Sequence, residues 1–368
     1  MADGAERVGV IGLGLIGGSI GLALRARAGT DHVVGFDVDA TTVMGALERG
    51  AIAAGAESLE DAASGVDLVV VATPVDLVPG VLERISRYVD DSAIVTDVGS
   101  TKVEVVAAGE RCFGERFVGG HPMAGSERHG IDAASELLFD DAWWIMTPTP
   151  ETSSSTYTRV AGVVSSMGGR PVAIDPSTHD ALVARLSHLP QLTASALVEV
   201  ASTAGDRDAL LGLAGAGFRD VTRIAASNPD LWVAIIRSNH EAVLESLQGL
   251  GGRLDAVASM ISAGRWDELR AWLDRSRRGR LELFAKPDLG GEPVGLTVVV
   301  PDRPGVLAEV TTAAGELGAN IEDLRIVHST EGGQGRLELV LLGSDRAEAL
   351  VGALMRLGYR VERSAIDI

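Results

Sequence analysis

Residues 7–24 read RVGVIGLGLIGGSIGLAL: an apolar run enters a glycine-dense turn and leaves it as a segment with helical apolar period. Strand, tight turn and helix in so few residues suit the βα corner of a parallel sheet, where glycines let helix and strand approach closely. Gly12, Gly14 and Gly17 form G-x-G-x-x-G at that corner. In a chain with 45 glycines the pattern alone means little, so its context decides. Asp37 ends the next apolar run, HVVGFDVD (32–39), twenty positions beyond Gly17. A carboxylate there accepts hydrogen bonds from the ribose of an adenine dinucleotide, while the helix start receives the pyrophosphate. Asp37 would repel a 2′-phosphate and Val38-Asp39-Ala40 brings no arginine, so NAD is expected rather than NADP. Leu15 and Ile16 in the turn, Thr73 and Pro74 at one later strand tail, and Asp97 at another complete the expected cofactor contacts.

The same grammar continues through DLVVVATP (67–74), SAIVTDVGS (92–100), FVGGHP (117–122) and AWWIMTPTP (142–150), with helical stretches such as TTVMGALERG (41–50) between. It predicts a parallel sheet covered on both faces, its strand tails lining one edge. From DPSTHD (175–180) strands give way to Ala- and Leu-rich helices. Asp175 caps the first, Pro190 should kink it, a second lies near 213–226, and a third starts at Asn228 and continues past Met260. Helices with little sheet to cover usually pack on a copy of themselves, so a homodimer through this block is expected. After the Gly/Pro-rich KPDLGGEP, the order strand, helix, strand, strand, helix, strand fits βαββαβ. The expected division is therefore 1–172 (Rossmann-type, NAD-binding), 173–285 (helical), 286–293 (linker) and 294–368 (βαββαβ). The fold class is α/β.

A net charge of −19 from 32 basic and 51 acidic residues repels nucleic acid and anionic membranes, and no apolar run is long enough to span a bilayer. The single Cys112 permits no intrachain disulfide, and MADGAERVGV lacks a signal-peptide pattern, so a cytoplasmic location is expected, with no structural metal.

GGHPMAGSERHG (119–130) sets His121 at a strand tail on the cofactor edge, and DVGSTK (97–102) sets Ser100 at the neighbouring tail. Both side chains could reach one substrate hydroxyl, and an imidazole exchanges protons near neutral pH. On position alone a loop histidine such as His121 is more often an ordinary surface residue. His129 and His179 suggest only cap or solvent roles.

GLGLIGGSIGLAL, VVVATPV, DVGSTK, GGHPMAGSERHGIDAA, SHLP and GFRDVTRIAASNPDLW occur in this order from residue 8 to about 240. Together they resemble the prephenate and arogenate dehydrogenases of tyrosine biosynthesis. The resemblance implies oxidative decarboxylation: hydride passes from C4 of a cyclohexadienyl ring to NAD+ as the ring carboxylate leaves as CO2. It implies that His121 is the catalytic histidine and that Ser100 bonds the same hydroxyl. Ser126 and Glu127 match pocket positions, though Glu127 is equally readable as a solvated loop acid. Arg223 matches the carboxylate-binding arginine, with Asp220 a turn away to orient it. His188, Gln191 and Trp232 complete the substrate set, Trp232 being equally readable as core. Many prephenate-using relatives carry histidine where Gln191 stands, so the choice between prephenate and arogenate stays open.

VVVPDRPGVLAEVTTAAGELGANIEDLRI (298–326) resembles an ACT domain, a module that binds amino acids. The resemblance implies an effector site at Asp302, Gly305, Asn320 and Ile321, with tyrosine as the expected feedback ligand. Two rival readings weigh less. A β-hydroxyacid dehydrogenase needs a helical-domain lysine, and none lies between Lys102 and Lys286. An amino-acid-sensing regulatory protein has no use for Ser100, His121 and Arg223 together.

Overall fold

The computed structural model describes residues 6–125, 128–203, 214–283, 293–301, 303, 305–319, 321–328 and 334–364. The chain forms two compact units, Met1–Leu254 and Asp255–Ile368.

In the first unit eight strands form one sheet: β1 (Val8–Ile11), β2 (Val33–Phe36), β3 (Ala54–Gly55), β4 (Leu68–Val71), β5 (Ile94–Asp97), β6 (Phe117–Pro122), β7 (Trp143–Thr147) and β8 (Arg170–Ala173). Their order is β3-β2-β1-β4-β5-β6-β7-β8. The helices between them are α1 (Leu15–Ala26), α2 (Ala40–Glu48), α3 (Leu59–Ala63), α4 (Val78–Ile85), α5 (Val103–Phe113) and α6 (Ser154–Ser166). β1, β4 and β5 are buried at every position, as expected of central parallel strands covered on both faces. Two apolar clusters flank the sheet, one including Leu24, Ile52 and Met146, the other Leu82, Ile85 and Phe117.

The parallel expectation fails at one pair. β7 runs antiparallel to β6. A parallel return needs a crossover, usually a helix, whereas among the described residues only loop and a single 3₁₀ turn (Ile131–Ala133) join these strands. β6 itself runs parallel to β5, so its tail, which carries His121, lies at the edge where β1, β4 and β5 also end. β3 and β8, short strands flanking the sheet, had no counterpart in the sequence reading.

The helical segments are α7 (Pro176–Val183), α8 (Leu189–Ser202), α9 (Ala216–Thr222), α10 (Pro229–Ser238) and α11 (His240–Ser262), the last crossing into the second unit. Asp175 caps α7 by accepting from Thr178 N at 2.9 Å. The kink expected at Pro190 takes the form of a π-helical turn at Ala184–His188, which ends the ladder of α7 before the proline. Pro190 then sits in the first turn of α8, where its missing N–H costs nothing. The helix expected from Asn228 past Met260 is two helices that break at Asn239, whose backbone leaves helical geometry (φ −127°, ψ 31°).

In the second unit, α12 (Trp266–Leu283) precedes β9 (Pro293–Pro301), α13 (Val306–Glu316), β10 (Ile321–His328), β11 (Gln334–Leu342), α14 (Ser344–Arg356) and β12 (Arg360–Ser364). The antiparallel order β10-β11-β9-β12 follows from the βαββαβ chain path, and Leu296, Val298, Leu337 and Leu339 pack against Val310 and Leu350.

Candidate active site

The glycine corner fits a dinucleotide. Gly12 has φ +94° and donates its N–H to Phe36 O at 2.8 Å, tying β1 to β2. A Cβ at Gly17 would lie 1.8 Å from Gly12 O, so this position is glycine for the close helix–strand approach. Gly14 differs: nothing lies within 4 Å of the place a Cβ would take. Gly14 starts α1, whose first turn has neither a side-chain cap nor an acid, so its amides and positive dipole end are left for an anion. Leu15 and Ile16 are half-buried in that turn. Asp37 accepts from Leu13 N at 2.8 Å and Asp39 N at 3.0 Å, which fixes a carboxylate beside the corner with acceptor capacity left for ribose hydroxyls. Thr73, at the tail of β4, has an enclosed Oγ1 without a hydrogen-bond partner, and Pro74 beside it is exposed. An open face at Gly14, an uncapped helix start and an orphaned hydroxyl are what a bound NAD would use.

Asp97 needs a correction. Its carboxylate, expected to meet the cofactor, is wholly enclosed and ion-paired to Lys102, whose side chain is also 0 % exposed. Asp97 also accepts from Gly99 N at 2.7 Å and Gly120 N at 3.1 Å, while Lys102 Nζ donates to Gly120 O at 2.7 Å. The pair thus grips both the amide and the carbonyl of the residue before His121. Burial pulls the Lys102 ammonium below its ordinary pKa, and Asp97 opposes that pull. The loop glycines, Ser100 and Thr101 bring this pair to the tail of β5, and Thr101 Oγ1 ties the loop to Ser238 at 2.8 Å. Ser100 is half-buried between them.

His121 Nδ1 lies 2.9 Å from His179 Nε2. His179 Nδ1 lies 2.8 Å from Asp180 Oδ1, and the Asp180 carboxylate also accepts from Lys102 N at 2.7 Å and Val103 N at 2.8 Å, at the start of α5. His179 is 2 % exposed, so the cap or solvent role expected of it is wrong: α7 docks on the sheet edge and carries it inward. Burial first, then the neighbouring His179, Lys102 and His188, push the His121 pKa well below 6.5, and the ring is neutral at physiological pH.

The π-helical turn presents His188 into the same region, 2 % exposed. Its ring meets Trp232 edge-to-face at 6.0 Å, and burial lowers its pKa to about 4. Asn239, at the break after α10, donates from Nδ2 to Asp180 O at 2.8 Å and lies 3.4 Å from His188 Nδ1. Trp232 also packs on the apolar cluster beneath β4 and β5, as its core reading expects. Gln191 is 5 % exposed and its Oε1 has no partner. Asp220, near the end of α9, and Arg223, in the 3₁₀ turn that follows it, are exposed. Ser126 and Glu127 lie outside the described residues, as do Asp302 and Asn320 of the expected effector site. Of that site, Gly305 starts α13 with φ +91°, a conformation that requires glycine, and Ile321 opens β10.

Sequence reading missed His179, Asp180, Lys102 and Asn239. One signal was available for Lys102. The chain has two lysines among 32 basic residues, so a lysine kept in an arginine-rich chain marks a place needing a compact ammonium. Asn239 had none, because a helix break without proline or glycine leaves no mark.

Comparison with known proteins agrees with this geometry. The family models described as prephenate dehydrogenase, nucleotide-binding domain and dimerization domain match residues 20–173 and 175–275, and the ACT domain matches 294–358. The prephenate dehydrogenase of Bacillus subtilis is 32% identical over 353 residues, covering 93% of this chain and 94% of that protein. A crystal structure of prephenate dehydrogenase from Aquifex aeolicus with hydroxyphenyl propionate and NAD+ superposes with TM-score 0.71 at 31% identity, covering 77% of this chain and all of the other. Synechocystis arogenate dehydrogenase gives TM-score 0.66 at 33% identity over 75% of this chain and 99% of that one. The chain belongs to the prephenate dehydrogenase family, with an NAD-binding Rossmann-type domain, a helical dimerisation domain and an ACT domain.

Proposed function

We propose that the protein is an NAD-dependent prephenate dehydrogenase of tyrosine biosynthesis, converting prephenate to 4-hydroxyphenylpyruvate and CO2. The observation that carries this reading is a neutral His121 clamped at the tail of β6 by a fully buried ion pair on Gly120. When bound, NAD+ accepts the hydride that leaves C4 of the ring. His121 accepts a hydrogen bond from the C4 hydroxyl, which stabilises positive charge growing on that carbon in the transition state. Ser100, on the neighbouring tail, holds the same hydroxyl. As CO2 departs, the electron pair of its C–C bond enters the ring, and the hydroxyl proton is retained on the phenol. Arg223, oriented by Asp220, pairs with a substrate carboxylate, and Ser126, Glu127, His188, Gln191 and Trp232 line the pocket. Gly12, Gly14, Leu15, Ile16, Gly17, Asp37, Thr73 and Pro74 hold the dinucleotide.

One observation favours a second substrate. The enclosed Oε1 of Gln191 has no donor, and arogenate carries an ammonium where prephenate carries a keto oxygen. Following reduced-cofactor absorbance with NAD+ and each substrate in turn tests both readings. A kcat/KM much larger for arogenate would replace prephenate as the substrate, and no turnover of either would refute the dehydrogenase.

The organisation proposed is 1–172 for the cofactor, 173–285 for substrate and self-association, 286–293 as linker and 294–368 for regulation. Two copies associate through the helical region, where Leu186, Val200, Leu244 and Leu254 are exposed. Tyrosine is the proposed effector of the ACT domain, tested by adding it to the same assay. A cytoplasmic setting fits a biosynthetic enzyme, and among the described residues no helix is long and apolar enough to cross a membrane.

A further inference from the structure

The Asp180, His179 and His121 side chains form a line of hydrogen bonds whose direction can be worked out from one end. Asp180 already receives two backbone N–H groups at the start of α5, from Lys102 and Val103. Backbone amides only donate, so the carboxylate is an acceptor throughout. His179 Nδ1, 2.8 Å away, must then carry a hydrogen. In a neutral imidazole the other nitrogen is a lone-pair acceptor. His179 Nε2 therefore receives a hydrogen from His121 Nδ1 at 2.9 Å, and the remaining lone pair of His121 is on Nε2. The two rings stand edge-on, 72° apart, which suits an in-plane N–H aimed at the other ring's nitrogen. Asn239 steadies the far end by bonding Asp180 O, and the Asp97–Lys102 grip on Gly120 steadies the near end.

We infer that His179 and Asp180 are positioning residues that hold His121 in the Nδ1–H tautomer, so that its Nε2 is the atom that accepts the substrate hydroxyl's hydrogen bond. The inference rests on the dehydrogenase reading for its purpose, but not for its geometry. Without His179 the Nδ1 of His121 loses the acceptor it has among the described residues, the Nε2–H tautomer becomes available, and a donor would then face the hydroxyl where an acceptor is needed. Among the described residues, the groups around His121 are His179 and Asp180 from α7, Lys102 before α5, Asp97 at the end of β5 and His188 from the π-helical turn.

The experiment has two arms on the full-length protein. The first is ¹⁵N NMR of ring-labelled histidine, with the His121 signals assigned by their loss in His121→Asn. The expected result is an unprotonated Nε2 and a protonated Nδ1 on His121. A proton on His121 Nε2, or a doubly protonated His179 donating to His121, overturns the inference whether or not the protein turns over prephenate. The second arm compares His179→Phe with His179→Gln. Phenylalanine offers no acceptor, whereas the glutamine side-chain oxygen can still accept from His121 Nδ1. His179→Phe is expected to lose about 10²-fold in kcat at every pH between about 5 and 9, because the fault is in the tautomer and not in ionisation. NAD+ affinity and prephenate KM are expected to stay near wild type, and His179→Gln to recover most of kcat. Wild-type turnover in His179→Phe, or an equal loss in both variants, overturns the inference. Absence of turnover in the wild type refutes the dehydrogenase reading alone, and the NMR arm still decides the tautomer.

Discussion

Replacing Lys102 by methionine is the sharpest available perturbation of the site, because it removes a charge without adding bulk. Both members of the Asp97–Lys102 pair are 0 % exposed. Without the ammonium, Asp97 keeps only two amide donors, from Gly99 and Gly120, and Gly120 O loses its partner. Removing one half of a buried ion pair costs about 3–5 kcal/mol, since the other charge stays behind uncompensated. At about 1.4 kcal/mol per factor of ten, local opening of β5 and β6 should become about 10²- to 10⁴-fold easier. Native-state hydrogen exchange of peptides covering residues 94–122 measures this directly, and avoids treating a multidomain unfolding curve as two-state. The double variant Lys102→Met/Asp97→Asn should recover part of the protection, because no net charge is then stranded. Lys102→Arg should not rescue, as the planar guanidinium has no room in a closed site shaped for an ammonium. Turnover should fall with His121 displaced, while NAD affinity, set at the glycine corner, holds. Exchange within about threefold of wild type in Lys102→Met, or equal damage in the double variant, would refute this account of how His121 is held.

The two glycines of the cofactor corner should separate. Gly14→Ala has room for its methyl and a permitted φ of −67°, so it should fold normally yet bind NAD at least tenfold more weakly, whereas Gly17→Ala, 1.8 Å from Gly12 O, should lower the melting temperature first. Calorimetric NAD titration beside thermal melts checks both. His188, with its pKa lowered from 6.5 to about 4, refuses a proton that the unfolded chain accepts, so stability should fall as pH drops from about 6.5 to about 4. That loss is at most about 3 kcal/mol, and His188→Gln should show a flatter dependence of melting temperature on pH. For His121, the acid limb of kcat/KM should lie below pH 6.5, and His121→Ala should lower kcat by about 10²-fold or more; an acid limb at or above 6.5 would contradict the neutral imidazole.

How much of this was legible in the sequence depends on whether a feature is local. Gly12, Gly14, Gly17 and Asp37 belong to one short unit whose backbone demands are written in its own residues, and the structure puts Asp37 against Leu13 N as that unit requires. Strand tails carrying Ser100 and His121 were readable for the same reason. The antiparallel β6–β7 pair was not, because the alternation of strands and helices was followed past the point where the helix was missing. Asp97 was misassigned because a strand-tail acid looks alike whether it faces a ligand or a lysine five residues on. His179, Asp180 and Asn239 act at 58, 78 and 59 residues' separation, and no periodicity reports such distant pairings.

Those long separations bear on how the chemistry is assembled. The sheet supplies His121 and grips the residue before it, yet among the described residues the partner of its Nδ1 comes from α7. Asp180 in turn is held by the amides that start α5, so the helical segment is docked by the same carboxylate that orients the imidazole. Docking and catalytic orientation are therefore one set of hydrogen bonds. A change that loosens α7 or α10 from the sheet edge, such as Asn239→Ala, should reduce turnover in step with the loss of α7 protection, even though Asn239 lies beyond hydrogen-bond reach of His121. Near-wild-type kcat in a variant whose α7 amides exchange freely would show the two to be separable.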